Sequence, residues 1–335
     1  MSVDYEDYER RNAGRFFTLQ NPFNHKQFHS WAFLAGLDRD NLAVLEPFAG
    51  AGDIIRHLKS MYPKVPYRMF DIEPRGDEVV ERDTFKDFPT GHKVCITNPP
   101  WLGKSNAQRK EMRESASLDD DYDNLYAKGL ALALTHCEWV ACLVPGSFLI
   151  SRIFRERLSA YIEVTNKPFV DLDPPVGLAL FTPYRPAACE IYRGDEYLGW
   201  LEDIEKHYPV PPIGAPMTPS IEHFSPDKDE KALQVRGRQG FRFGHDPDDP
   251  ARACFFDEWV EGTPKPRGVF TDPGVRIDIE ACNQHLTEFI LKTKDMLRYQ
   301  GQGRTPEGYH RRYITNHLAN AIARCHATSN QSVLF

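Results

Sequence analysis

Residues 98–101 place a side-chain amide, two prolines and an indole directly after the apolar segment VCIT. The two prolines disfavour a helix and remove two N–H donors, so they predict a stiff turn. The Asn98 side-chain oxygen and the Pro99 carbonyl can both accept hydrogen bonds from one exocyclic amino group. Trp101 offers a wide face on which a nucleobase can stack. The stretch therefore indicates a site for a flat molecule that carries an amino group, and a plain loop is the alternative.

A glycine-rich turn, LEPFAGAGD, lies about 50 residues before this stretch, between an apolar strand and a helical segment. Gly50 and Gly52 allow the backbone to approach a ligand closely. In a doubly wound sheet, ligands bind at the carboxyl ends of the strands, which is where this turn falls. Its spacing differs from the six-position glycine pattern of dinucleotide-binding proteins. The turn predicts a different ligand, or it serves the fold alone.

Two acidic residues end the strands that follow the glycine turn. Asp71 comes about 20 residues after the glycines, where a carboxylate can accept hydrogen bonds from both hydroxyls of a ribose. Asp83 follows a third strand and could accept a hydrogen bond from the amino group of an adenine. Either residue could equally be an ordinary surface acid.

Apolar strands alternate with helical segments from about residue 25 to residue 195, which predicts a doubly wound, mainly parallel α/β sheet. Three segments have the spacing of helices at 25–37, 52–62 and 124–137. We also predict a helix over 152–164 and a late hairpin over 178–194. Two further helices are expected near 279–299 and 306–325.

Four segments, EPFAGAG, FDIEP, RDTF and ITNPPW, together resemble the motif series of S-adenosylmethionine-dependent amino-methyltransferases. The similarity is greatest to the group that methylates adenine N6 in DNA, and it covers roughly residues 14–195. The resemblance implies a Rossmann-like class I methyltransferase fold, S-adenosyl-L-methionine as cofactor and no metal. In that family these motifs bind, in turn, the methionine part, the ribose, the cofactor adenine and the target amino group.

The resemblance also assigns roles to individual residues. The catalytic turn is Asn98, Pro99, Pro100 and Trp101, in which Trp replaces the more frequent Tyr or Phe. Trp101 and Phe181 are expected to stack on the two faces of an adenine that is flipped out of duplex DNA. The expected cofactor-binding residues are Phe17, Thr18, Glu46, Pro47, Phe48, Ala49, Gly50, Gly52, Asp71, Ile72, Asp83, Thr84 and Asn98.

The net charge of −7 is unfavourable for binding nucleic acid, but residues 231–335 hold 15 basic and 12 acidic side chains. The order of the motifs resembles the gamma group, whose target-recognition domain is C-terminal. We therefore predict a catalytic domain over 14–204, a Pro-rich linker over 205–230 and a DNA target-recognition domain over 231–335. An ordinary solvated surface is the alternative for the expected DNA-binding residues, which are Lys104, Arg236, Arg238 and Arg242.

The seven cysteines are scattered without a Cys-x-x-Cys pair, which argues against a disulfide framework and a zinc site. No run approaches the roughly 18 apolar residues that a membrane span requires. We expect a cytoplasmic, nucleoid-associated protein of a prokaryote or phage, either monomeric or a weak dimer, with no membrane partner. A restriction–modification role, with a cognate restriction endonuclease as a further partner, is compatible with the resemblance.

Other functions fit the same motifs. Similar turns serve methyltransferases that act on an RNA base, on cytosine N4 or on a protein glutamine amide. The chain could also be a catalytically silent module that binds nucleic acid. The intact Asn98 and the complete glycine turn argue against a silent module.

Overall fold

A computed structural model describes two compact units of the chain, Met1–Glu202 and Asp203–Phe335. Within them it describes residues 18, 20–39, 42–102, 122, 124–166, 176–213, 215, 241–245, 253–257, 268–270, 275–297 and 314–329.

The first unit is built on a nine-stranded sheet in the order β3-β2-β1-β4-β5-β7-β6-β8-β9. Strands β1 to β5 are parallel, whereas β7 runs antiparallel to both β5 and β6. This confirms the predicted Rossmann-like, doubly wound and mainly parallel sheet. The strands are β1 (Val44–Glu46), β2 (Tyr67–Asp71), β3 (Val79–Glu81), β4 (Val94–Thr97), β5 (Trp139–Pro145), β6 (Leu158–Val164), β7 (Val176–Phe181), β8 (Glu190–Arg193) and β9 (Glu196–Trp200).

Helices cover both faces of this sheet, so its central strands are apolar throughout. On one face, α1 and α2 share a buried cluster with Val44, Ile96 and Leu143. On the other face, the Cys95 thiol lies against Cys137, just after α3. The helices that begin in this unit are α1 (Lys26–Ala35), α2 (Asp53–Met61), α3 (Leu125–His136), α4 (Phe148–Ser151) and α5 (Leu201–Glu205), the last of which crosses the boundary between the units.

Two of the predicted elements are wrong. Residues 152–164 do not form the predicted α-helix, because Arg152 and Phe154 have positive φ, Arg155–Arg157 form a single 3₁₀ turn, and the chain then continues into the buried strand β6. Residues 178–194 do not form a hairpin either, since β7 lies between β5 and β6 and β8 pairs with β6 and β9. The alternation of apolar residues in LSAYIEV is the pattern that favours a strand.

Arg157, immediately before β6, connects the end of α3 with the end of β7. Its Nε donates to the Thr182 carbonyl (2.7 Å) and its Nη1 to the Leu134 carbonyl (2.5 Å). Its Nη2 donates to the carbonyls of Cys137 and Glu138. One guanidinium thus satisfies carbonyls at a helix end that would otherwise lack partners.

The second unit contains a three-stranded antiparallel sheet, two helices and a short strand pair. The Asn283 side chain accepts from the Phe243 N–H (2.7 Å) and donates to the Phe243 carbonyl (3.0 Å), which joins a helix to this sheet. The two helices confirm the predicted pair: the first ends at Lys292 and is shorter than expected, and residues 306–313 of the second lie outside the described residues. The elements are β10 (Phe241–His245), β11 (Ala253–Asp257), β12 (Gly268–Phe270), β13 (Val275–Ile277), α6 (Ile279–Lys292), α7 (Ile314–Cys325) and β14 (Ala327–Ser329).

Among the residues that the structure describes, none of the helices has the length and apolar character needed to cross a membrane.

Replacing Arg157 with Met should destabilise the first unit by about 2–4 kcal/mol, because several carbonyls lose their donor together. Urea unfolding followed by tryptophan fluorescence measures this, since four of the five tryptophans lie before residue 203. Arg56→Met is the matched control, because the Arg56 side chain is 67% exposed and its pairing among the described residues is with Asp53 on its own helix. Equal effects of the two substitutions would contradict the role of Arg157.

Candidate functional site

Three of the residues singled out in the sequence lie at the carboxyl ends of β1, β2 and β4. β1 lies at the centre of the parallel strands, with β2 on one side and β4 on the other. The strand order reverses between β1 and β4, and this is where ligands bind in open α/β sheets. Glu46 ends β1, Asp71 ends β2 and Asn98 follows β4.

The glycine turn between β1 and α2 adopts a conformation that favours glycine. Gly50 has φ +52° and Gly52, the N-cap of α2, has φ +77°. The Gly50 N–H donates to Asp71 Oδ2 (2.8 Å), and the Ala49 N–H donates to the Phe70 carbonyl (2.8 Å). These bonds hold the turn against the end of β2.

The Asp71 carboxylate has a fixed orientation. Oδ2 accepts from the Gly50 N–H and Oδ1 accepts from the Glu73 N–H, both at 2.8 Å. Ile72, which lies between Asp71 and Glu73 in the sequence, is half-buried. A carboxylate is an acceptor-only group, and one held in this orientation at the end of β2 suits the hydroxyls of a ribose.

The segment after β3 packs on the glycine turn. The buried Thr84 hydroxyl donates to the Pro47 carbonyl (2.9 Å), and the Phe85 and Phe48 rings lie 4.9 Å apart. Asp83 pairs with Lys86 through Oδ2 (2.9 Å). Its Oδ1 is buried and has no hydrogen-bond partner in the described part of the chain, so it can accept from a ligand.

Asn98 presents a similar unpaired acceptor. Its Oδ1 is buried and makes no hydrogen bond with the described residues. Pro99 is buried, whereas Asn98 and Pro100 are half-buried. Burying an acceptor without a donor costs about 1–3 kcal/mol, so such an atom is expected where a ligand supplies the donor.

Trp101 is half-buried, and its apolar surface packs partly against the main cluster of the core. The next residue, Leu102, is buried against Leu125, the first residue of α3. The turn is therefore fixed to the body of the unit at its far end.

Glu46 is fully buried, with a relative exposure of 0%. Its Oε1 accepts from the Thr97 hydroxyl (2.8 Å) and from the Phe48 N–H (3.2 Å), whereas Oε2 has no partner among the described residues. Burial raises the pKa of Glu46 to about 8, Asp71 raises it further, and the hydrogen bonds from Thr97, Phe48 and Asn98 oppose the rise. The carboxyl group lies between the glycine turn and the Asn98 turn.

The structure contradicts the stacking role expected for Phe181. This side chain is 0% exposed, and its ring packs edge-on against Phe148. Phe181 pairs with Val140 and Leu158 near the amino ends of the parallel strands, whereas Asn98 lies at their carboxyl ends. The error arises because β7 runs antiparallel to β5, so its last residue lies at the amino ends of the parallel strands. The end of β6 and the start of β7, by contrast, lie at the carboxyl ends of the parallel strands, as Asn98 does.

Several expected site residues cannot be placed. Phe17, Lys104, Arg236 and Arg238 lie outside the described residues. Arg242 lies in β10, and its backbone alone is described. Thr18 is buried, and its carbonyl accepts from His57 Nε2 (2.9 Å) on α2.

Two residues of the site were missed in the sequence. Thr97 binds Glu46 from the neighbouring strand, and its position directly before Asn98 was the available signal.

A Cβ on Gly129 of α3 would lie 2.9 Å from Phe48 Cε2 and 3.0 Å from Pro99 Cβ. The absence of a side chain there lets α3 contact both turns. A glycine inside a helix, which costs about 1 kcal/mol relative to Ala, was the signal.

No group of three or more metal-binding side chains is present within the described residues.

Comparison with known proteins gave structural neighbours only. No protein-family model matches the sequence, and no curated protein matches it. A solved structure of a DNA complex of the type IIL restriction–modification enzyme MmeI aligns with 97% of this chain and 58% of its own, at 11% identity and a TM-score of 0.43.

Two bacterial structures align with about half of this chain. A type I restriction–modification methyltransferase subunit from Streptococcus thermophilus covers 56% of this chain and 49% of its own, at 15% identity and a TM-score of 0.38. A protein from Listeria monocytogenes described as a class I S-adenosylmethionine-dependent methyltransferase covers 53% and 68%, at 12% identity and a TM-score of 0.34. No assignment of cofactor or substrate follows from similarity at this level.

The stability of the protein should fall as the pH rises from about 5 to about 8. Glu46 takes up a proton more readily in the folded protein than in the unfolded chain, so the unfolded chain binds fewer protons over this range. Glu46→Gln removes this dependence and should be more stable than the wild type at pH 8.5 by about 2–5 kcal/mol. Urea unfolding at pH 5.5 and 8.5 measures the difference.

Glu78→Gln is the matched control, because the Glu78 side chain is 65% exposed and pairs with Lys59 at the surface. It should leave the pH dependence unchanged. If Glu46→Gln had the same pH dependence as the wild type, Glu46 would be ionised in the folded protein at neutral pH.

Proposed function

We propose that this protein transfers a methyl group from S-adenosyl-L-methionine to N6 of an adenine in duplex DNA. The observation that carries the proposal is the position of Asn98. A buried acceptor without a described partner follows β4, next to the strand whose end carries the glycine turn. The motif resemblance to amino-methyltransferases supports the same activity.

The residues beside Asn98 fit the cofactor. The glycine turn allows close approach of the ligand, and the oriented Asp71 carboxylate suits the two hydroxyls of a ribose. Asp83 Oδ1 and Glu46 Oε2 are buried acceptors for an adenine amino group and for the ammonium of an amino acid. When bound, S-adenosyl-L-methionine supplies a methyl group on a positively charged sulfur, which a nitrogen nucleophile can attack.

Asn98 and Pro99 prepare the nucleophile. The Asn98 side-chain oxygen and the Pro99 carbonyl accept the two N–H groups of the target amino group. These bonds draw electron density onto the nitrogen and turn it toward tetrahedral geometry, so that its lone pair is directed at the methyl group. After transfer the nitrogen carries an extra proton, which it releases to solvent, so no strong general base is required.

Trp101 provides the surface for the extruded base. Flipping an adenine out of the duplex costs a few kcal/mol, and stacking on an aromatic side chain contributes about 1–3 kcal/mol in return. The indole follows the two prolines directly, so a base stacked on it lies beside the Asn98 acceptor.

The second unit is proposed to recognise the DNA sequence. The support is the excess of basic over acidic residues in 231–335 and its position after the catalytic motifs. Arginines in this region are suited to phosphate and guanine contacts. We place the protein in a restriction–modification system, with a restriction endonuclease as its functional partner.

The proposal predicts that the purified protein transfers label from methyl-labelled S-adenosyl-L-methionine to unmethylated duplex DNA, recovered as N6-methyladenine. Asn98→Ala should lower the rate by about a hundredfold or more, because it removes an acceptor used in the transition state. Asn98→Asp retains an acceptor oxygen at this position and should keep measurable activity. Unfolding curves of both variants report whether the fold is intact.

Parallel incubations distinguish the other functions. One uses RNA as the acceptor, one uses protein, and in a third N4-methylcytosine is measured in DNA. Label in any of these and not in adenine would contradict the proposed substrate. Cofactor binding without transfer to any acceptor would identify a silent nucleic-acid-binding module. Full activity of a folded Asn98→Ala variant would contradict the catalytic role of Asn98.

A further inference from the structure

Glu46 differs from every other described acid of the site in being wholly inaccessible to solvent. Its Oε1 accepts from the Thr97 hydroxyl and the Phe48 N–H, whereas its Oε2 has no hydrogen-bond partner among the described residues. A buried carboxylate oxygen without a donor is unfavourable by several kcal/mol if the group is charged. Since no described residue donates to it, a proton or a donor from a ligand is expected to satisfy this oxygen.

The groups that face Glu46 from the neighbouring strands supply no positive charge. Asp71 faces it from β2, Cys95 from β4 and Cys142 from β5. Burial raises the pKa of both thiols well above their ordinary value, so they are neutral at physiological pH. Among the described residues, the groups that interact with Glu46 include no cation. Burial and the neighbouring Asp71 therefore both favour the protonated form of the Glu46 carboxyl group in the ligand-free protein.

We propose that Glu46 determines specificity for a ligand that carries an ammonium group, and that Glu46 gives up its proton when this group binds. The proposal rests on the proposed function, in which the ammonium belongs to the amino-acid part of S-adenosyl-L-methionine. A ligand without an ammonium group leaves the proton on Glu46.

The exchange is balanced in charge and atoms. The O–H bond of the Glu46 carboxylic acid breaks, its proton passes to solvent buffer, and an ion pair forms between the carboxylate and the ammonium. An ammonium offers three N–H donors, of which one satisfies Oε2. A nearby positive charge favours the ionised carboxylate, which reverses the effect of burial.

Thr97 holds the carboxyl group in place for this exchange. Its hydroxyl bonds Oε1 across the β1–β4 pair, which leaves Oε2 as the oxygen available to a ligand. Since Asn98 follows Thr97 directly, the same bond relates the position of the bound ammonium to the position of the catalytic turn.

Calorimetry with two ligands tests the proposal at pH 6.5. S-adenosylhomocysteine carries the ammonium but no transferable methyl group, and 5′-methylthioadenosine lacks the amino-acid part. At this pH an α-amino group, with a pKa of about 7.7–8.0, is protonated before and after binding. Titrations in phosphate and in imidazole, whose ionisation enthalpies differ, give the number of protons released.

The wild type should release close to one proton on binding S-adenosylhomocysteine and none on binding 5′-methylthioadenosine. Its Kd for S-adenosylhomocysteine should fall about tenfold per pH unit between pH 6 and 7. This pH dependence is measured on the wild type alone, so it tests the proposal even if a variant fails to fold. Glu46→Gln should bind with no proton release and no pH dependence, whereas the surface control Glu78→Gln should behave as the wild type.

Three results would overturn the proposal. Binding of S-adenosylhomocysteine without proton release and with a flat pH dependence would contradict it and leave the proposed function standing. Equal proton release by Glu46→Gln and the wild type would assign the proton to another group. Failure of the wild type to bind S-adenosylhomocysteine at any pH between 6 and 8 would contradict the proposed function and this inference together.

Discussion

The hydrogen bond between the Thr97 hydroxyl and the Glu46 carboxyl group joins the two central strands where their carboxyl ends meet. It lies at the point where the strand order reverses, so the turns that follow the two strands open toward the same space. One turn carries the glycines and the other carries Asn98. Under the proposed function, the position of the cofactor relative to the target amino group therefore depends on this contact in the interior of the sheet.

The site retains features that are unfavourable for folding. Glu46, Asp83 and Asn98 each bury an oxygen without a described donor, and each such atom costs about 1–3 kcal/mol. The surrounding packing compensates for this cost: Gly129 lets α3 lie against Phe48 and Pro99, and Thr84 binds the Pro47 carbonyl. Buried acceptors without donors are found mainly at functional sites, where a ligand supplies the missing donors.

The sequence was sufficient to predict the parallel sheet and the strand ends that carry Glu46, Asp71 and Asn98, because apolar strands and turn residues are local signals. It was insufficient for β6 and β7. The β6 segment has enough long side chains to resemble a helix, and Phe181 faces the core because β7 is reversed, which depends on pairing with distant strands. The Thr97 and Gly129 contacts also join elements distant in sequence, so local patterns could not reveal them.

The most direct measurement is a crystal structure of the protein with S-adenosylhomocysteine and a short duplex that contains its target adenine. The account predicts that the adenine lies outside the helix stack, with N6 within hydrogen-bond distance, about 3 Å, of both Asn98 Oδ1 and the Pro99 carbonyl oxygen. It also predicts that Trp101 lies parallel to the base. An adenine that remains paired in the duplex, or an Asn98 side chain bonded to the protein in the complex, would contradict it.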